Sequence, residues 1–167
     1  MADIKTRNGE SGADPGLPRE EAVREGIELL FFAYRDFTAE PDAILVQYGF
    51  GRAHHRVVHF VGRHPGMTVG ELLGILRITK QSLNRVLGQL LRQGFIVQHR
   101  GVEDRRQRLL ELTDIGRELE RRLSELQRAR VAAAYRKAGA PAVEGFRKVL
   151  LAIIAAEEDR RRFSRGR

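Results

Sequence analysis

The stretch Thr68–Gly94 holds two helix starts and a helix stop in one short span, which constrains the fold more than any other feature. Thr68 followed by Glu71 is a capping box, each side chain satisfying a backbone N–H that a first helical turn leaves unpaired. A helix from Val69 is expected, with Val69, Leu72, Leu73 and Leu76 on one stripe of a 3.6-residue period. Only Arg77 and Ile78 precede Thr79, a second N-cap residue, so the joining turn is very short. The next helix carries Leu83, Val86, Leu87, Leu90 and Leu91 on one face, and Gly94 sits where a left-handed cap ends it. This is a helix-turn-helix pattern.

The outward face of the second helix suggests its use. Gln81, Arg85 and Arg92 lie opposite the leucines, with Ser82, Asn84 and Gln89 beside them. Arg can bridge both acceptors of guanine, and Gln or Asn can pair twice with adenine, from a helix that fits the major groove. The candidate DNA-binding set on this helix is Lys80, Gln81, Ser82, Asn84 and Arg85, with Gly88 allowing close backbone approach. An ordinary solvated helix face is the competing explanation. Phe95–His99, a turn from Gly101 to Arg106, and Gln107–Leu112 then read as a β-hairpin, with Leu110 and Leu112 on one face. Arg105 and Arg106 at its tip are candidates for the neighbouring minor groove, although a charged hairpin edge explains a single arginine equally well.

The ordered set of TVGELL, ITKQSLNRVLGQLLRQGFI, an Asp-x-Arg turn (Asp104, Arg106) and Leu-Thr-x-x-Gly (Leu112, Thr113, Gly116) resembles the MarR family of bacterial transcriptional regulators. The resemblance runs from about Glu20 onwards. The GRAHHRVVHFVGRHPG and ITKQSL stretches are similar to one branch of that family. It implies a homodimer, joined by its terminal helices, whose two winged lobes straddle a pseudo-palindromic operator in double-stranded DNA. It also implies that Asp104 orients Arg106 and stabilises the wing. A small aromatic or phenolic effector would modulate or release the DNA, in a pocket expected to involve Tyr34, Thr38, His55, Val57 and Phe60.

The rest of the chain fits that frame. Residues 1–18, with glycines and prolines among small and charged residues, are expected to be a disordered tail before a single domain over 19–163. A first helix places Ile27, Leu30, Phe31 and Tyr34 on one stripe and is expected to break near Pro41, with a short continuation from Ile44 to Tyr48. After Gly49 and Gly51, a helix over Arg52–Gly62 turns Ala53, Val57, Phe60 and Val61 inward. Thr113 caps a long helix with Ile115, Leu119, Leu123 and Leu126 on one face, and Gly139 and Pro141 introduce a last helix bearing Val143, Phe146, Val149, Leu150, Ile153 and Ile154. The fold expected is mainly α with a small β-hairpin: a winged helix-turn-helix over about 50–113 and dimerisation helices over about 19–48 and 114–163. The arginines of the C-terminal tail suit the negative end of a helix dipole as well as they suit DNA.

The formal charge of +8 favours a polyanionic partner, because each cation that neutralises a phosphate releases counterions. Charge alone also fits a constitutive DNA-organising or RNA-binding protein. With no cysteine, disulfides, thiolate zinc sites and thiol-based sensing are excluded. His55 and His59 are one helical turn apart, but no carboxylate beside them completes a ligand set, so no metal is expected and His54, His55 and His59 are read as packing or pocket residues. No phosphate-binding glycine loop or nucleophile elbow is present, so neither an enzyme nor a cofactor is expected. No apolar run approaches the roughly 20 residues of a bilayer span, and a cytoplasmic protein without a membrane partner is expected.

Overall fold

The computed structural model describes residues 19–101, 104 and 106–164. The expected disordered tail, 1–18, lies outside the described residues, as does Arg105. The element order is α1 Glu20–Val46, α2 Arg52–Arg63, β1 Met67–Thr68, α3 Val69–Leu76, α4 Lys80–Arg92, β2 Ile96–Arg100, β3 Arg108–Leu112, α5 Asp114–Ala138, α6 Ala140–Ile153 and α7 Glu157–Arg161. The chain falls into two compact units, Met1–Asp36 and Phe37–Arg167.

In the first unit the described chain is the opening of α1. Its apolar stripe of Val23, Ile27, Leu30, Phe31 and Tyr34 is exposed, Phe31 to 71%, and Leu29 and Phe32 on the opposite side are exposed too.

The second unit holds the core, in which Leu45, Val57, Val58, Val61, Leu72, Leu83, Leu90 and Leu110 have no exposed surface. The helix-turn-helix follows the sequence closely. Thr68 accepts from the Glu71 N–H while Glu71 takes the Thr68 N–H, and Thr79 accepts from the Ser82 N–H. The turn closes on Arg77, which adopts a left-handed φ of 50°. Its guanidinium contacts Glu158 and Asp159 of α7 at 2.8 and 3.3 Å. Gly94, at φ 76°, ends α4: its N–H bonds Leu91 O and the Phe95 N–H bonds Leu90 O, the two bonds of a Schellman cap.

Three expectations need correction. α1 does not break at Pro41, which lies inside the helix and is buried. Proline removes the N–H that would have bonded the Phe37 carbonyl, and Gln127 Nε2 of α5 donates to that carbonyl instead, at 3.5 Å. The hairpin is part of a three-stranded antiparallel sheet of order β1-β3-β2, with Met67 opposite Leu110 and Ile96 opposite Leu112. The last helix ends at Ile153, and a short α7 follows. Arg160 donates to the carbonyls of Ile154 and Ala155, so this arginine of the tail serves a helix end.

The Leu-Thr-x-x-Gly motif has a steric cause. Thr113 caps α5 through the Gly116 N–H and donates its hydroxyl to Gly94 O. A Cβ on Gly116 would stand 2.0 Å from the Phe95 carbonyl oxygen, a backbone atom that cannot step aside. Gly116→Ala is therefore expected to cost roughly 3 kcal/mol or more of unfolding free energy, read from urea denaturation.

Candidate nucleic-acid interface

α4 presents Lys80, Gln81, Asn84 and Arg85 to solvent, with Ser82 half-buried at its capped start. Because the leucine face is sealed in the core, these side chains form the outward ridge of the helix. Among the described residues, Lys80, Arg85 and Arg92 on α4 and Arg100 and Arg108 on the wing strands have no carboxylate partner. On α5, Arg117, Arg121 and Arg130 pair with Asp114, Glu118 and Glu125, and Glu40, while Arg128 does not pair with a carboxylate among the described residues. Unpaired cations keep their whole charge for an outside anion. A cleft between α4 and the wing is lined by Lys80, Asn84, Gly88, Gln98, Arg106 and Arg108. Gln98 and Arg108 gave no sequence signal beyond lying in a strand.

The wing tip is closed locally. Asp104 Oδ1 accepts the backbone N–H of Arg106 at 2.9 Å and faces its Nε at 3.4 Å, while the Gln107 N–H reaches Asp104 O. These contacts tie Asp104 to the backbone of the turn, while the Arg106 side chain is 94% exposed. Gln89 was expected beside the base-reading face, but it turns inward, its Nε2 donating to Gly49 O at 3.2 Å and its Oε1 meeting His54. Gly88 has no unusual φ, and a Cβ there would meet only the mobile end of Arg92.

A second concavity, a cavity of about 800 Å³, opens between α2, α5 and Phe37 of α1, with Phe37, Val131 and Tyr135 on its apolar side and His59, Arg63, Glu120, Ser124 and Arg128 supplying polar groups. Arg63 and Arg128 have no carboxylate partner among the described residues. Ser124 Oγ donates to Glu120. Thr38, His55, Val57 and Phe60, expected in a pocket, do not line this one: Thr38 and Val57 are buried, Phe60 packs on the core and His55 is half-buried. Tyr34, in the first unit, is exposed.

Each of the three histidines of α2 has its pKa lowered from the ordinary 6.5. His54, only 7% exposed, is bonded at both ring nitrogens and stacks on Phe50 at 4.7 Å. Its pKa is lowered, chiefly by burial and further by the charge of Arg85. His55 is lowered by burial and by His59, with Asp42 and Glu120 pulling the other way. His59 is lowered by burial against the pull of Glu120, whose carboxylate stands 3.7 Å from a buried Nδ1 that has no hydrogen-bond partner.

A two-helix reader with a three-stranded wing and an unpaired cationic face defines a winged helix-turn-helix protein. Residues 48–107 match the model of the MarR family, and the HTH-type transcriptional regulator PetP of Rhodobacter capsulatus is 53% identical over 150 residues, covering 85% of this chain and 90% of that protein. The chain belongs to the MarR family of transcriptional regulators. The branch resembled by the GRAHHRVVHFVGRHPG and ITKQSL stretches is the one that includes PetP. Its relatives are regulators and not enzymes. The fold matches Streptococcus pneumoniae FabT in complex with DNA, with a TM-score of 0.69 at 21% identity over 78% of this chain and 94% of that one. It also matches NadR in complex with 4-hydroxyphenylacetate, at 0.66 and 20% over 86% and 100%. Among the described residues no helix is long and apolar enough to cross a membrane.

Because folding lowers the pKa of His54, His55 and His59 below the ordinary 6.5, the unfolded chain takes up protons first on acidification. Their contribution is fully present above that value and is lost as pH falls from it through the folded pKa values. The urea midpoint is expected to be lower at about pH 5.5 than at about pH 7.5, and replacing His54 with a neutral residue should reduce that difference.

Proposed function

We propose that a homodimer of this chain binds a pseudo-palindromic operator, reading bases with α4 and gripping phosphates with the wing, under the control of a small aromatic anion. The carrying observation is the row of unpaired cations on α4 and the wing beside the outward Gln81 and Arg85. Gln81 and Arg85 are assigned to base edges. Lys80, Ser82, Asn84, Arg106 and Arg108 are assigned to the backbone that runs past the cleft, with Arg105 at the minor groove. Because Asp104 holds the turn, it keeps the wing in a shape that can reach that groove.

Two copies are needed on physical grounds. The stripe on the opening of α1 and, separately, Phe146, Val149 and Ile153 on α6 leave large apolar side chains in water. At about 25 cal/mol per Å² that exposure is costly, and a second copy is the cover that a symmetric regulator supplies. The two recognition helices must then sit about 34–36 Å apart to enter successive major grooves. FabT's complex with DNA supports the first part of this reading.

The cavity between α2 and α5 is the effector site in this reading. Arg63 and Arg128 offer charge for a carboxylate, while Phe37 and Tyr135 offer ring surfaces. NadR's complex with 4-hydroxyphenylacetate, an aromatic carboxylate, supports the ligand class.

Anisotropy titrations against the promoter region of its own operon and against random duplexes, at fixed salt, test the DNA face. Gln81→Ala or Arg85→Ala is expected to cost roughly 1–3 kcal/mol on the specific site and much less on random DNA, with two protomers bound per site. Lys80→Ala and Arg108→Ala should weaken both duplexes alike and reduce the salt slope by about one. Equal loss on both duplexes from Arg85→Ala would demote it to a phosphate contact.

For the cavity, benzoate- and phenylacetate-type acids are screened by thermal shift. A binder should release operator DNA, and Arg128→Ala should raise the concentration needed by on the order of tenfold without changing DNA affinity in its absence. An unchanged release curve places the effector elsewhere.

A further inference from the structure

We propose that His54 and Gln89 act as a pair of positioning residues whose hydrogen bonds set the rotation of α4 and so the aim of Gln81 and Arg85 at the DNA. This rests on the reading of α4 as the base-reading helix.

His54 is the third residue of α2, and the Gly51 N–H donates to its Nδ1 at 3.1 Å. That nitrogen is therefore an acceptor, which puts the ring proton on Nε2. Nε2–H donates to Gln89 Oε1 at 2.9 Å, and Gln89 Nε2 donates to Gly49 O at 3.2 Å. The chain of bonds runs from the turn after α1, through the start of α2, into the C-terminal third of α4. Both ring nitrogens of His54 and both ends of the Gln89 amide are satisfied, the condition under which a buried polar network rigidifies its surroundings.

Gln81, Arg85 and Gln89 are spaced four residues apart on one ridge of α4, so a grip on Gln89 is a grip on the base-reading ridge itself. The leucines behind α4 decide which face is outward, but by contact that is non-directional. Hydrogen bonds have direction, and this network adds a finer restraint on rotation about the helix axis. Arg85 is the charged group that bears on the imidazole, and burial keeps the ring neutral beside it.

The test measures discrimination, the affinity for a duplex selected by the wild-type protein from a random pool divided by the affinity for a scrambled duplex, at fixed salt and neutral pH. Gln89→Met keeps the length and loses both bonds. His54→Phe keeps a ring against Phe50 and loses both of its own. Each is expected to cut affinity for the selected duplex about tenfold and for the scrambled one less than about twofold. The double variant should be no worse than either single one, because both changes break one network. Val58→Ala, a core truncation outside the network, should lower thermal stability and leave discrimination intact. If one network variant fails to fold, the other decides. Unchanged discrimination, additive losses or an equal loss in Val58→Ala would show that the network only packs. If the wild-type protein enriches no sequence, the base-reading assignment has failed and this proposal falls with it, a result distinct from those three.

Discussion

The carbonyl of Phe95 is the point on which the reading lobe and the long helix both depend. Phe95 follows the glycine that ends α4, and its own N–H completes that cap. Its carbonyl accepts the Thr113 N–H at 3.1 Å as the wing returns, and Gly116 of α5 lies directly on it. The end of α4, the close of the wing and the start of α5 therefore share a few backbone atoms. A side chain at position 116 would separate all three. α5 is thus fixed to α4 without a flexible joint, and it carries Glu120, Ser124 and Arg128 into the cavity at a set distance from the recognition helix.

Where structure is decided by local chemistry, the sequence could be read. The starts of α3, α4 and α5 fall where Thr68, Thr79 and Thr113 announced them, since a cap is a bond between residues three apart. Gly94 ends α4 for the same kind of reason. Leu83, Val86, Leu87 and Leu90 are buried as the period required, which leaves Gln81 and Arg85 outside.

What could not be read was decided across the chain. Pro41 stays helical in a buried position where Gln127 of α5 offers a donor to the carbonyl the proline leaves free, and no local rule contains that packing or that partner. β1 is only two residues long and exists because β3 runs past it. Gln89 sits on the flank of the helical wheel, where periodicity cannot say which way an amide turns. It turns inward because an imidazole and a carbonyl wait there. The cavity escaped for a related reason: Phe37, Arg63 and Arg128 come from three separated helices. Of the residues expected in a pocket, Thr38 and Val57 are buried and do not line this one.

On the proposed function, α2 is the element through which a ligand and DNA would affect one another. Its first turn carries His54, bonded to the recognition helix, and its last turns carry His59 and Arg63 on the cavity wall. At 1.5 Å per residue, the rise from His54 is roughly 8 Å to His59 and roughly 14 Å to Arg63. Between His54 and Arg63, Val57, Val58 and Val61 are packed into the core with no exposed surface. A close-packed helix does not compress, so displacement at one end reaches the other with little loss. A ligand held by Arg63 against α5 would gain its influence by favouring one placement of α2 over another. It can shift DNA binding only by its difference in affinity for the two placements, which for coupled sites is typically about 1–3 kcal/mol. That range is enough to empty an operator held with modest excess affinity and too little to unfold the lobe, so on this proposal DNA would be released with the reading helix intact.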